Sequence, residues 1–255
     1  MDRSFNERVA YIYGETGREK TAVFPPEEFS FRILVNGDTL VTLLCTPQKL
    51  DFLAAGHLYN DGYIDSADEI TAIDVDTGKK EIRVTAPGLS GIEPRKRIYT
   101  SGFGGGVISD DEMPVKNSAP SGTLSRETII RLMEEMKGSG LLYKRSGGIH
   151  SSALCTNEGV VFHAEDIGRH NTMDKICGEY LLSKRRDRPD IMMTTGRMSS
   201  EMVIKAVKMG IFAVASLTTP TLRAVDSARR CGLTLIGYVG EKSVTVYSAF
   251  ENVVL

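Results

Sequence analysis

The last third of the chain alternates short apolar runs with helix-like stretches, and this constrains the fold more than any other feature. Residues 190–195, 211–217 and 233–239 have the length and composition of buried strands, and helical patterns fill about 199–209 and 221–231 between them. Strand–helix–strand order implies right-handed crossovers and parallel strands, because only that hand packs the helix back onto its own sheet. Upstream, residues 149–155 and 159–164 predict two strands around a turn near Asn157-Glu158-Gly159. A helix over 171–184 places Met173, Ile176, Cys177, Tyr180 and Leu181 on one stripe. Ser125 is positioned to cap a further helix whose Ile129, Leu132, Met133 and Met136 share a face. Residues 123–255 are therefore expected to form a three-layer α/β domain.

The first 86 residues predict a small α+β module. Asn36-Gly37 separates strand candidates at 30–35 and 38–45, a strong hairpin signal. Thr46 and Pro47 read as the N-cap and first position of a helix. Leu50, Leu53, Ala54 and Leu58 form its stripe, and Gly62 ends it. Strand candidates at 70–75 and 80–86 follow, joined by Asp76-Thr77-Gly78. Residues 87–122 carry Gly, Pro and Ser with little periodicity, including Gly102-Phe103-Gly104-Gly105-Gly106. A long segment of this kind reads as a loop or linker with a functional or disordered character.

A net charge of −2 over 255 residues supplies no global field for nucleic acid or an anionic membrane, so neither is expected as a partner. No apolar run is long enough to span a bilayer, and Met1 to Glu7 lacks the apolar stretch of a secretory signal. The four cysteines, Cys45, Cys155, Cys177 and Cys231, are scattered and fit a reducing compartment. A cytoplasmic location is the expectation, and any anion site must be local.

The strand–helix junctions are where such a site belongs, since ligands favour the carboxyl ends of strands in open α/β sheets. At the first junction Gly196 permits a sharp turn, and Ser199 or Ser200 can cap the next helix, whose free N–H groups attract anions. Arg197 adds a fork suited to phosphate. Ser216 to Pro220 repeats this with hydroxyls and a helix-starting Pro220. The third strand runs into Gly237-Tyr238-Val239-Gly240-Glu241-Lys242-Ser243, which reads either as a ligand loop with Lys242 as a point charge or as a turn into a strand at 244–247.

Glu165-Asp166-Ile167-Gly168-Arg169-His170-Asn171 crowds hydrogen-bonding groups around a glycine just before a helix. Asn171 with Asp174 three residues on suits a cap, while Arg169 and His170 suggest a ligand or dimer role. His163-Ala164-Glu165 matches the first half of a zinc deaminase motif. The second half should fall at Thr195 to Ser199, which has no cysteine, so no zinc site is expected. His150, Cys155, His163 and His170 have no metal-ligand spacing, and Cys155 and Cys177 read as core residues.

Three stretches in order, Ser146-Gly147-Gly148-Ile149-His150, Glu165 to Asn171 with Asp174-Lys175, and Thr195-Gly196-Arg197-Met198-Ser199-Ser200-Glu201-Met202, resemble the FdhD family. Leu53 to Leu58 with Asp61-Gly62 is similar to that family's N-terminal helix. The resemblance implies a cytidine-deaminase-like C-terminal domain and a homodimer. It implies binding of the bis-molybdopterin guanine dinucleotide form of the molybdenum cofactor, for which GDP is a mimic. It further implies transfer of sulfur from a cysteine desulfurase to that cofactor on behalf of formate dehydrogenase. On this resemblance Tyr238, Val239, Gly240, Glu241, Lys242 and Ser243 form the cofactor loop. Arg197, Ser199 and Lys242 would meet phosphates, Gly196 would join them in the cofactor site, and Arg169, His170 and Asn171 would shape the pocket or the dimer seam. The family carries sulfur on a C-x-x-C loop, and here Phe103 and Gly106 take the cysteine positions (Gly102 and Gly105 if the register shifts by one). Neither pair supplies the thiolate that a persulfide needs. Three accounts stay open: binding without transfer, substitution by another cysteine such as Cys45 or Cys231, or delivery of sulfur by a docked partner.

Overall fold

The computed structural model describes residues 7–89, 119–120, 122–183, 185 and 188–255. Phe103 and Gly106, with Gly102 and Gly105, lie outside them. The chain opens with a hairpin that the sequence reading did not anticipate, β1 (Arg8–Gly14) with β2 (Gly17–Val23). Then come β3 (Phe29–Val35), β4 (Asp38–Cys45), α1 (Leu50–Asn60), β5 (Ala72–Asp76) and β6 (Glu81–Thr85). Strands β4-β3-β6-β5 form one sheet, with β3 and β6 parallel and the outer pairs antiparallel. The Asn36-Gly37 turn forms as expected, both residues at positive φ (53° and 99°), which matches the twist of the flanking strands.

Helix α1 does not begin as the sequence suggests. Lys49, at φ 54°, takes the N-cap position, and Thr46 is drawn away. Its backbone N–H and its hydroxyl both donate to the buried Asp166 carboxylate at 3.0 Å. A buried carboxylate demands donors more strongly than a helix end that water can reach, so the tertiary contact wins.

The second half contains β7 (Leu124–Ser125), α2 (Arg126–Ser139), α3 (Leu141–Ser146), β8 (His150–Cys155), β9 (Val160–Asp166) and α4 (Arg169–Ser183). It continues with β10 (Ile191–Thr194), α5 (Ser200–Lys208), β11 (Ala213–Ser216), α6 (Leu222–Cys231), β12 (Thr234–Gly237), β13 (Thr245–Ser248) and β14 (Val253–Val254). Ser125 caps α2 by accepting from the Thr128 N–H. The six-stranded sheet runs β13-β12-β11-β10-β8-β9, with β10, β11 and β12 parallel and the rest antiparallel. Alternate side chains serve opposite faces. Leu154, Met192, Val214 and Leu235 pack with α4, α5 and α6, whereas Ala153, Met193, Ala215 and Ile236 pack with α2. This is the three-layer mixed α/β arrangement that the strand pattern predicts.

Two helix starts differ from expectation. Asn171 lies inside the first turn of α4 rather than at its cap, because its side chain donates to Leu44 O (2.7 Å) and to Asp166 (2.8 Å). Pro220 precedes α6, and Thr221 caps it by accepting from the Ala224 N–H at 3.2 Å. Helix α1 packs one side on its own sheet through Leu50, Leu53, Ala54 and Leu58. Its other side meets α4 backbone to backbone at Gly56 and Gly178.

Candidate functional site

The parallel strands β10, β11 and β12 end at Thr194, Ser216 and Gly237 on one edge of the sheet. Strand β8 enters at the same edge, since Ser152 pairs with Thr194, and β9 leaves there, since Asp166 pairs with His150. The three junction loops, the start of β8 and the start of α4 therefore converge.

Hydroxyl groups pin this edge. Ser152 Oγ donates to Thr194 Oγ1 at 2.9 Å and lies 2.7 Å from Thr172 Oγ1. Thr194 Oγ1 also accepts from Gly196 N at 3.2 Å, and Ser216 Oγ donates to Gly196 O at 2.8 Å. The second and third loops are tied in the same way, with Leu217 N bonded to Thr194 O (3.1 Å) and Val239 N to Ser216 O (3.1 Å). Buried hydroxyls at consecutive strand ends satisfy the loop backbone where no further strand can.

Gly196 is pressed against two basic side chains. A Cβ there would lie 2.9 Å from Arg169 Cβ and 3.4 Å from His150 Nδ1. Burial lowers the pKa of Arg169, the nearby Arg197 charge lowers it further, and Glu201 opposes them. Arg169 Nε is buried without a hydrogen-bond partner among the described residues. His150 is also held below its ordinary value, by burial and then by Arg169. Arg197 is exposed, and Ser199 is half-buried with its oxygen capping α5 through Met202 N (3.4 Å). The third loop is a hairpin connection between β12 and β13. Tyr238, at φ 49°, Gly240, Glu241, Lys242 and Ser243 are exposed on it, while Val239 turns into the core.

The Glu165–Asn171 motif divides between jobs. Glu165 caps α3, accepting from Leu142 N (2.9 Å) and Tyr143 N (2.7 Å). Asp166 collects Thr46, Gly168 N, Asn171 and, at 2.6 Å, the buried Lys175 ammonium. His170 faces inward, its Nε2 3.6 Å from Glu201. Burial, then Lys205 and Arg169, press its pKa to about 3, so the ring is neutral. Of the basic residues in the motif, Arg169 is the one that packs on the Gly196 loop.

His163 lies 2.7 Å from Ser151 Oγ. Its pKa falls to about 4 through burial and the Lys49 charge. With Glu165 spent on α3, the two residues of the deaminase-like triplet serve separate contacts. A further buried network escaped the sequence reading: Lys205 reaches Asp174 (3.0 Å) and Asp61 (3.4 Å), and His57 bridges the same two carboxylates. Lys205 stands four residues after Glu201 in an amphipathic helix, a pattern that ordinarily marks a solvated face.

All four cysteines are buried and free. Burial pushes the Cys45 and Cys155 thiols up to about 12 and raises Cys177 and Cys231 as well. None offers an accessible thiolate. No helix among the described residues is long and apolar enough to cross a membrane.

The fold and this edge define a class: an α/β protein in which a four-stranded module is docked on a three-layer, mixed-sheet domain with its junction loops gathered at one edge. The chain belongs to the FdhD/NarQ family, whose sequence model matches residues 26–254. It is 32% identical over 232 residues to the sulfur carrier protein FdhD of Bacillus licheniformis, covering 89% of this chain and 88% of that one. The Bacillus subtilis protein of the same name is 32% identical with the same coverage. A solved structure from Desulfotalea psychrophila, assigned as a formate dehydrogenase accessory protein, superposes with a TM-score of 0.84 at 26% identity, over 98% of this chain and 100% of that one.

Proposed function

We propose that this protein serves a formate dehydrogenase by holding the bis-molybdopterin guanine dinucleotide cofactor at the strand edge, and that it carries no sulfur on a thiol of its own. One observation carries the first part. Arg169 Nε is buried without a partner among the described residues, and the Arg169 pKa is lowered first by that burial and then by the charge of Arg197 nearby. Like charges brought together at a cost are offset by an anion that both can reach. The phosphates of a guanine dinucleotide are such anions. The capped start of α5 adds free N–H groups to the same edge, and Lys242 adds a charge on the third loop.

The second part rests on the cysteines. A persulfide forms by thiolate attack, and burial keeps all four thiols protonated and enclosed. A cysteine desulfurase then acts as a docked partner that supplies sulfur to the held cofactor.

The test is thermal unfolding with GDP. A ligand at one hundred times its Kd stabilises the native state by about 2.7 kcal/mol. Arg197→Ala and Arg169→Ala each remove a charge-assisted contact worth about 1.5–3 kcal/mol, so the GDP-induced rise in Tm shrinks or vanishes. An undiminished rise in both variants places the nucleotide elsewhere.

A further inference from the structure

The β1–β2 hairpin stands apart from both sheets. Its strands pair with each other over seven residues and with no third strand among the described residues. It precedes the stretch matched by the family model, which starts at residue 26. A lone two-stranded hairpin is marginal in water, and this one presents apolar side chains outward. Val9 is 61% exposed, Tyr11 50% and Tyr13 75%.

The register sorts these residues onto one face. Val9 pairs with Ala22, Tyr11 with Lys20 and Tyr13 with Arg18. The face is thus a strip of two tyrosines and a valine beside two cations, with the Arg18 guanidinium 5.1 Å from the Tyr11 ring centroid. Glu19 pairs with Ile12 on the opposite face. At its base the strip runs into a cavity of about 420 Å³ lined by Ala22, Val23, Phe24, Pro25, Pro26 and Arg145. Arg145 lies over the Phe24 ring at 4.5 Å.

We propose that this strip and cavity form a docking groove for an extended, acidic segment of the dehydrogenase polypeptide, an inference that rests on the accessory role above. Tyrosine and arginine are the side chains that dominate protein interfaces. Arg18 and Lys20 select acidic residues, the outer strand edges, unpaired among the described residues, offer backbone hydrogen bonds for an added strand, and the cavity anchors one bulky apolar side chain. A second copy of this chain is a poor occupant. Two-fold packing of this face would gather four cations, Arg18 and Lys20 from each copy, with no carboxylate on the face to offset them, and like charges repel. Two cations on the strip also fall short of the basic track that a nucleic acid strand engages.

The experiment measures binding of the full-length protein to purified apo-formate dehydrogenase, with the GDP-induced Tm shift recorded in parallel. Arg18→Glu with Lys20→Glu should weaken dehydrogenase binding at least tenfold and leave both the Tm and the GDP shift unchanged. Tyr11→Ala with Tyr13→Ala should weaken it similarly. Binding by the wild type should fall as salt rises. Wild-type affinity in both variants overturns the proposal. So does an absence of wild-type binding alongside an intact GDP shift, an outcome that spares the cofactor site. Loss of a single-stranded oligonucleotide complex with dehydrogenase binding unaltered, or conversion of a dimer to a monomer by the variants, overturns it in favour of those occupants.

Discussion

The Asp166 carboxylate lies 2.6 Å from the Lys175 ammonium, and both side chains are fully buried. Thr46, from the N-terminal module, hydrogen-bonds both of them: its hydroxyl and backbone N–H donate to Asp166, and its carbonyl and hydroxyl oxygens accept from Lys175. The pair therefore fastens the module to the three-layer domain. Removing one member leaves a buried charge without its counter-ion, at a cost of about 3–5 kcal/mol. Lys175→Met should lower unfolding stability in urea by that order, and Asp166→Asn combined with Lys175→Met should recover part of it. A single variant as stable as the wild type would refute the role.

Helices α1 and α4 cross at two glycines. A Cβ on Gly56 would sit 1.8 Å from Asp174 O, and one on Gly178 would sit 1.9 Å from Phe52 O. Both contacts are with backbone, so no rotamer change relieves them. Gly56→Ala or Gly178→Ala should destabilise by at least the about 3 kcal/mol at the upper end of ordinary overpacking. Gly138→Ala, in α2 with open space around its Cβ position, should instead stabilise by about 0.5–1 kcal/mol. Thermal unfolding of the three variants separates crowding from helix propensity.

The buried cysteines predict a chemical outcome. Incubated with a cysteine desulfurase and cysteine, the native protein should gain no sulfur by intact mass spectrometry. A relative that retains its C-x-x-C serves as the positive control. A thiol reagent should label the native chain slowly and all four cysteines after unfolding. A persulfide mapped to Cys45 or Cys231 would overturn the proposed loss of carrier chemistry.

Two histidines give the fold an acid sensitivity. His170 and His163 hold pKa values of about 3 and about 4, both depressed mainly by burial. In the unfolded chain both protonate as pH falls through about 6.5, while the folded rings stay neutral to lower pH. The stabilisation is complete above about pH 6.5 and is lost between there and about pH 4 for His163 and about pH 3 for His170. The slope is at most about 1.4 kcal/mol per pH unit per ring, less for His163, which solvent partly screens. His163→Gln retains a partner for Ser151 and should flatten the dependence of Tm on pH between 7 and about 4.5. An unchanged slope would contradict the assignment.

The apolar runs from 190 to 239, the Asn36-Gly37 turn, the Ser125 cap, a serine cap at Ser199 or Ser200 and the order of the family motifs were legible because each depends on neighbours within a turn or a strand. Local periodicity and propensity decide such features. The fate of Thr46, Asn171, Pro220 and Lys205 was not legible. Thr46 is committed to the buried Asp166 carboxylate 120 residues away, Asn171 to Leu44 O 127 residues away, and Lys205 to two carboxylates, one in α4 and one at the C-cap of α1. The exposed hairpin escaped notice for the opposite reason: with neither face buried, its alternation carried little contrast. The sequence by itself determined the alternating α/β order, the parallel strands and the edge where the junction loops meet. Only the tertiary structure decided which motif residues hold the module to the domain and which, like Arg169, keep a buried polar atom unpaired among the described residues, because a buried polar group is assigned by the partners that folding brings to it.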